Sequence, residues 1–374
     1  MARVLVTGGA GFIGSHTVDA LLAAGHDVRV LDVLLPPVHD GTVPVYVPAE
    51  VEFIRGDVCD PAEICRALDG VEVVYHFAAY QDYLPEYSRF FATNSVGTAL
   101  ILETIVRERM GVELLVVASS QAVYGEGRYR DASGAVVLPG PRALEALEAR
   151  RWDFEGLTPD WTRETDSNPH SPYGLSKRDQ DDFTTIMGKR HGLATTCFRY
   201  SIVQGPRQSF RNAYSGALRS FAVCTLNGAP PVVYEDGAQL RDYVSIRDVV
   251  KANLLPLDHT GMHGRSFNVG GDRKVTVTEL AALVLEWCGV GGLEPTVPGL
   301  FRVGDTRHVF SDVAALREQA WAPEVGQREM VRSYLDWARE QPGLPNTFAA
   351  AERKMRELGV LRTSALSASP TGPR

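Results

Sequence analysis

The sequence predicts an α/β fold, a doubly wound parallel sheet followed by a smaller mixed α/β lobe, and three observations carry that prediction. Short β-branched runs alternate with helical segments from residue 3 to residue 200. A turn with Gly8, Gly11 and Gly14 separates the first strand from the first helix. From about residue 205 the chain changes character, with Gly-Pro, Pro-Pro and Gly-Gly punctuation between short elements.

Residues 3–7 and 28–33 read as strands, joined by a helical pattern from Ser15 that ends at Gly25, a βαβ unit. Residues 51–54 and 71–78 are the next strands, with a helix from Ala62 to Leu68 between them. A long helix over 88–110 precedes the strand Leu114 to Ala118. Such alternation implies a parallel sheet covered on both faces. Residues 126–170 interrupt it with few strand signals and much Pro, Gly and charge. That is too long for an ordinary loop, so a lid or lobe is expected, with a short surface helix from Ala143 to Arg151. Tyr173 to His191 is a second long helix and Ala194 to Tyr200 another strand. The domain division predicted is a dinucleotide domain over 1–204 with the insertion 126–170, and a substrate lobe over 205–361 interleaved with it. Residues 362–374, rich in Ser, Thr and Pro, form a disordered tail.

Composition narrows the function. With 44% hydrophobic and 22% charged residues the 374-residue chain reads as a soluble globular protein. No apolar run approaches the roughly 20 residues that cross a bilayer, so no membrane partner is expected. Met-Ala-Arg runs directly into the first strand, which argues against a cleavable signal peptide. A net charge of −8 offers no basic footprint for nucleic acid. The five cysteines, Cys59, Cys65, Cys197, Cys224 and Cys288, show no metal-ligand spacing, so no metal is expected. They read as free thiols of a cytoplasmic protein, Cys197 in the core.

Gly8, Gly11 and Gly14 let the backbone approach a diphosphate, at a helix amino terminus with unpaired N–H groups and positive potential. Asp32 ends the second strand, where a carboxylate accepts from adenosine ribose hydroxyls and repels a 2′-phosphate; this favours NAD over NADP. Asp57 ends the third strand. It either meets the adenine amino group or caps a turn, and spacing alone does not choose between them.

Tyr173 and Lys177, in Tyr-Gly-Leu-Ser-Lys, lie four apart on one helix face. A phenol with a reference pKa near 10 is a poor base at neutral pH. An ammonium about 4 Å away, at an effective dielectric near 20, favours the phenolate by roughly 4 kcal/mol, about three pK units. The pair can then take a hydroxyl proton while hydride leaves the same carbon. Ser120, at the carboxyl edge of the Leu114 strand, is the third catalytic candidate; alone, Ser119-Ser120 reads as a turn cap.

With these motifs in hand the chain resembles the extended short-chain dehydrogenase/reductase family, in its nucleotide-sugar epimerase and dehydratase branch. The likeness spans roughly residues 2–345 and includes Thr7 to Gly14, Asp57-Val58, His76-Phe77-Ala78-Ala79, Asn94, Ser119 to Gly125 and Tyr173 to Lys177. It continues through Gly205 to Gln208, Arg241 to Val244, Phe267 to Gly270 and Arg302 to Asp305. The overall look is that of bacterial NDP-sugar 4-epimerases, the dTDP-L-rhamnose 4-epimerase type in particular. The resemblance implies a Rossmann-type sheet, NAD as cofactor, a nucleotide-sugar substrate and a homodimer in which the helices 88–110 and 173–191 pair as a four-helix bundle. It implies Ser120, Tyr173 and Lys177 as the catalytic triad. Gly8, Gly11, Phe12, Ile13, Gly14, Asp32, Asp57, Val58, Phe77, Ala78, Ala79, Asn94, Ala118 and Tyr200 join Tyr173 and Lys177 in holding NAD. Gln81, Gln121, Asn212, Tyr234, Arg241, Arg302 and Asp305 stand with Ser120 and Tyr173 on the substrate side. The arginines match the grip on the diphosphate, Tyr234 lies beside the nucleobase, and Asp305 meets the nucleotide ribose.

Departures from the family pattern refine this. Gln121 and Ala122 stand where the 4,6-dehydratases have Asp-Glu, and neither can supply an acid or base for eliminating water. A 4-epimerase, which oxidises one carbon and reduces it again on the other face, is the expectation. Ile202 replaces an Asn that helps hold the sugar nucleotide, and Tyr80-Gln81-Asp82-Tyr83 is unusually aromatic, with Gln81 where galactose-type epimerases have Lys. These changes keep open an oxidoreductase, or an epimerase acting on another carbinol. A non-catalytic NAD sensor is the third reading, which the intact Ser120, Tyr173 and Lys177 oppose.

Overall fold

Seven parallel strands form the central sheet of this protein, described by a computed structural model over residues 1–212, 216–341 and 348–364. The strands are β1 (Arg3–Thr7), β2 (Asp27–Asp32), β3 (Glu52–Arg55), β4 (Val73–His76), β5 (Leu114–Ser120), β6 (Ala194–Tyr200) and β7 (Arg265–Val269). Their spatial order is β7-β6-β5-β4-β1-β2-β3. Strand β1 lies between β2 and β4, with Thr7 beside Leu31 on one side and His76 on the other. The winding reverses there, and the crevice beyond the carboxyl ends of β1 and β4 is where open α/β sheets bind ligands.

Alternation along the strands builds two cores. Val4, Val6, Val28, Val30, Val116, Phe198 and Phe267 face α1 (Phe12–Ala23) on one side. Leu5, Leu31, Val74, Leu115, Val117 and Cys197 face α2 (Pro61–Leu68), α3 (Gly97–Arg107) and α4 (Pro172–His191) on the other. Burying each such Val or Leu contributes about 1.5–3 kcal/mol, so these runs commit the chain to a two-sided sheet. Cys197 is core, as its apolar neighbours suggest.

The helix expected over 88–110 is not uniform. A short helical turn, Tyr87–Phe90, passes into a π-helical stretch, Phe91–Val96, before α3 begins. The hydroxyl of Thr98 donates to the carbonyl of Asn94 at 2.6 Å, and the wider turn brings the Asn94 side chain fully inside.

Three expectations need correction. Residues 126–170 do contain strands: Arg128–Arg130 pairs antiparallel with both Val136–Val137 and Thr158–Asp160. Weak alternation hid them, because two- and three-residue strands carry almost no period-2 signal. The surface helix is Leu144–Glu148, and its Leu147 is buried against Trp152 and Phe301. Residues 362–364, expected in the disordered tail, are ordered: Leu361–Thr363 pairs antiparallel with Leu300–Arg302 and the Ser364 hydroxyl donates to the carbonyl of Gly299. Residues 365–374 lie outside the described part.

The second lobe is not a separate body. β7 returns to the main sheet beside β6, and α5 (Ile246–Leu254) packs on α1. The lobe keeps its own core around Leu218, Phe221, Tyr243, Leu280, Tyr334 and Leu335. Among the described residues no helix is long and apolar enough to cross a membrane, and no cluster of His, Cys, Asp or Glu is arranged to hold a metal.

Candidate active site

At the crevice the glycine turn is packed to its limit. Gly8 has φ +69°, and a Cβ there would stand 2.7 Å from the Ala78 nitrogen. A Cβ on Gly14 would collide with the Gly8 carbonyl, to which Gly11 N–H donates at 3.0 Å. No side chain caps α1 at Gly11, so the amino-terminal N–H groups of Phe12, Ile13 and Gly14 carry the helix's positive potential to this turn. Asp32 is buried at its edge, accepting from Ala10 N–H at 3.0 Å and Leu34 N–H at 2.9 Å. The Tyr46 hydroxyl donates to the Ala10 carbonyl at 2.8 Å, and the Arg207 guanidinium lies 4.9 Å from the Tyr46 ring. A turn closed to a Cβ at Gly8 and Gly14, an uncapped helix end and a buried carboxylate fit a dinucleotide.

The other residues expected here also make contacts within the protein. One oxygen of Asp57 accepts from Cys59 N–H at 2.9 Å, the turn-capping role, while Val58 is buried under α3. Phe77 and Ala78 line the turn opposite Gly8, with Ala79 exposed beyond them. Asn94 accepts from Tyr80 N–H and donates to the Tyr80 carbonyl and to the Ser176 hydroxyl, so it pins the loop after β4 from below. The Tyr200 side chain is core: its hydroxyl donates to Asn253 at 2.6 Å and its ring stacks on Phe198.

Strand β5 delivers Ala118 and Ser120 to the same crevice, and α4 delivers Tyr173 and Lys177. Ser171 caps α4 by accepting from Gly174 N–H at 3.0 Å, and Pro172 starts the helix. A Cβ on Gly174 would strike the Ala122 carbonyl, so this glycine lets the first turn of α4 lie on the segment after Ser120. The Ser120 oxygen accepts from Ala122 N–H at 3.1 Å, leaving its hydrogen for the hydroxyl of Tyr173. Gln121 begins the short helical segment Gln121–Tyr124 beside this pair.

The expected phenol–ammonium contact is different in detail. Lys177 Nζ lies 5.9 Å from the centre of the Tyr173 ring and donates to the Ala118 carbonyl at 2.7 Å and to Gln180 Oε1 at 2.8 Å. Burial pushes the Tyr173 phenol up to about 12, against the opposing Ser120 hydrogen bond. Burial also brings Lys177 down to about 7, opposed by Cys197 and Asp181. The correction has a simple cause: removal from water disfavours both charged forms, and that outweighs their attraction at this distance.

Across the crevice the second lobe presents Arg302. Its guanidinium lies 4.3 Å from the Tyr83 ring and 5.4 Å from the Tyr234 ring, and donates to Asp305 at 2.9 Å. Burial would raise the Asp305 carboxyl, but Arg302, Arg241 and Arg142 outweigh it and hold it below the ordinary carboxylate range. Arg241 is less available than its motif suggests. Its Nη1 donates to the carbonyls of Leu240 and Arg307, and its Nη2 to that of Thr306 at 2.7 Å, so it shapes the 305–307 turn that carries Asp305. Gln81 is exposed at the rim. Asn212 is half-buried at the end of a described stretch, its N–H donating to Ser209. Ile202 opens a short strand paired with Tyr243–Ser245.

Several residues here were missed in the sequence. Gln180 lies one helical turn from Lys177, a spacing that could have drawn attention to it. His76, inside a recognised motif, is buried between Thr7 and Thr98. Arg142 carried no signal at all, since its partners Glu126, Glu235 and Asp305 are remote or in another lobe.

Comparison with known proteins agrees with this geometry. Residues 4–270 match the NAD dependent epimerase/dehydratase family. The chain is 32% identical over 348 residues to the dTDP-L-rhamnose 4-epimerase of Burkholderia thailandensis, covering 91% of this chain and 95% of that one. It superimposes on UDP-glucose 4-epimerase of Thermotoga maritima with UDP-glucose, with a TM-score of 0.75 and 30% identity, over 90% of this chain and 99% of that one. The Thermus thermophilus UDP-glucose 4-epimerase complex with NAD gives a TM-score of 0.74 and 32% identity, over 91% and 100%. This chain belongs to the NAD-dependent epimerase/dehydratase family.

Proposed function

We propose that this protein is an NAD-dependent nucleotide-sugar 4-epimerase acting on a UDP- or dTDP-hexose. The observation that carries the reading is Ser120 against Tyr173 beside the glycine cradle, with Gln121 and Ala122 where elimination would need an acid and a base. Gly8, Gly11, Phe12, Ile13 and Gly14 would hold the diphosphate of NAD, Asp32 the adenosine ribose, and Asp57 with Val58 the adenine side. Phe77, Ala78, Ala79, Ala118 and Lys177 would face its other half, with Asn94 and Tyr200 supporting them from within. NAD, when bound, supplies the acceptor and later the donor of hydride.

Tyr173 takes the C4 hydroxyl proton, and Ser120 holds the same oxygen through proton loss and return. An ammonium 5.9 Å from the ring, at an effective dielectric near 20, favours the phenolate by about 3 kcal/mol. To take that proton Tyr173 must be a phenolate, which for a phenol near 12 costs about 7 kcal/mol at pH 7, a cost that the ammonium and the positive charge of bound NAD would offset in part. The 4-keto sugar turns over and is reduced on its other face while Arg302, Tyr234 and Asp305 retain the nucleotide. Gln81, Gln121 and Asn212 border the sugar, and Arg241 supports the turn beneath. Residues 1–204 would thus hold the cofactor and supply the catalytic groups, and the interleaved lobe 205–361 would hold the nucleotide of the substrate.

The test is incubation of the purified protein with UDP- and dTDP-hexoses. Interconversion of C4 epimers without net NADH is the expected result. Stoichiometric NADH, or a product lighter by one water, would replace this reading with a dehydrogenase or dehydratase.

A second copy is the further partner we propose. Phe91 and Val96 in the helical segment before α3, and Leu175 and Ile186 on α4, are exposed, and pairing these helices between two chains would cover them. Five free thiols suit a cytoplasmic location. Light scattering that returns a single-chain mass would remove the dimer.

A further inference from the structure

Beneath the catalytic groups runs a polar chain whose hydrogens can all be assigned. The Thr98 hydroxyl has one hydrogen and gives it to the Asn94 carbonyl at 2.6 Å. Its oxygen therefore accepts at its other two contacts, from Gln180 Nε2 at 2.7 Å and from His76 Nε2 at 2.9 Å. His76 consequently carries its proton on Nε2, and its Nδ1 accepts from the Thr7 hydroxyl at 2.8 Å. The Thr7 oxygen in turn accepts from Ala78 N–H at 3.2 Å. The Gln180 amide is thereby oriented, with Nε2 on Thr98 and Oε1 accepting from Lys177 Nζ at 2.8 Å. Thr7, His76, Thr98, Gln180 and Lys177 are all within 2% of complete burial.

We propose that Gln180 is a positioning residue, which holds the Lys177 ammonium against the Ala118 carbonyl and ties it, through Thr98 and His76, to Ala78 in the cofactor loop. This rests on the reading that Lys177 serves a bound dinucleotide. Two neutral acceptors satisfy two of the three ammonium hydrogens and leave the third for cofactor or phenol. A carboxylate at this position would capture the ammonium as an ion pair, and an apolar residue would leave it short of an acceptor in a dry site. The titratable groups facing Lys177 are Tyr173 and Asp181 on its own helix, His76 from β4 and Cys197 from β6; α3 offers the uncharged Thr98. Asp181 is already paired with Arg199 at 2.6 Å, so Gln180 is the side chain that receives the ammonium.

The chain has five lysines, Lys177, Lys189, Lys251, Lys274 and Lys354, so the proton on Lys177 can be followed directly. In NAD-loaded protein carrying [13Cε]lysine, the Lys177 signal is assigned by its loss in Lys177→Met and titrated against pH. Gln180→Leu should lower its midpoint by about one pH unit, a tenfold change in proton affinity, and the isosteric Gln180→Glu should raise it by a similar amount. The alkaline limb of kcat should follow in the same opposite directions. A general loosening would move both variants the same way, and that result, or midpoints equal to wild type, would overturn the proposal. Should Gln180→Leu not fold, the direction of the Gln180→Glu shift decides alone. A wild type that epimerises no nucleotide-sugar removes the proposed function, whereas the lysine titration still reads the role of Gln180.

Discussion

Arg142 donates to both oxygens of Glu235, at 3.0 and 2.8 Å, joining the inserted segment to a residue 93 positions further along the chain. The Arg142 side chain is 3% exposed and also lies 3.4 Å from Glu126. Trp152 against Phe301, Trp161 against Phe310 and Arg307 on Asp153 complete the attachment. The insertion is thus bolted to the second lobe and not hung over the crevice as a free lid.

Removing this bolt should be costly. Arg142→Ala leaves Glu126 and part of Glu235 buried without a cation, and losses on breaking such pairs run to about 3–5 kcal/mol. Urea denaturation should show a lower midpoint at an unchanged slope. A midpoint equal to wild type would mean that water reaches the site freely.

Tyr173→Phe removes the hydroxyl that meets Ser120. Turnover should fall by at least about 10²–10⁴-fold, the range for loss of a general acid–base. Copurified NAD, measured after denaturation, should match wild type. Full activity would take the base role from Tyr173.

Tyr83 and Tyr234 lie against the Arg302 guanidinium, one edge of which donates to Asp305. Tyr83→Leu should weaken binding of UDP or dTDP by about 3–30-fold, while Tyr83→Phe retains most of it, since the ring face provides the attraction. Calorimetric titration with the free nucleotides checks this, with kcat and NAD content expected to change little. Equal losses in both variants would implicate the hydroxyl instead.

His76 gives the apoprotein a defined acid sensitivity. Burial, with Lys177 nearby, holds its imidazole down to about 3 in the fold, against 6.5 in the unfolded chain. A group with a depressed folded pKa stabilises above its unfolded value and loses that contribution as pH falls toward the folded one. Between pH 6.5 and 4.5 the loss should be about 2–3 kcal/mol. Urea unfolding across that window should be less pH-dependent in His76→Gln, and an identical slope would assign the acid sensitivity elsewhere.

Legibility in the sequence followed the range of the interactions. The glycine turn, the capped start of α4 and the strand carrying Ser120 all announce themselves within a few residues, because caps, close backbone approach and apolar periodicity are local effects. β7 was hidden inside a stretch that reads as a different lobe, because joining β6 depends on a return of the chain that no local pattern encodes. Arg241 shows the same limit within a recognised motif: its type suggests a phosphate grip, but the carbonyls of Thr306 and Arg307 occupy much of its edge.

By itself, then, the sequence determined the alternation that places β1 to β6 and their helices, the cradle at Gly8 to Gly14 and the identities of Ser120, Tyr173 and Lys177. Only the tertiary structure decided how those three groups stand toward one another. It set Lys177 on the Ala118 carbonyl, 59 residues away in the chain, and on Gln180, and not directly on the phenol. It also decided their acidities, because burial by residues from several elements disfavours both the phenolate and the ammonium. Desolvation is a property of everything around a group, and the spacing of Tyr173 and Lys177 on one helix carries no record of it.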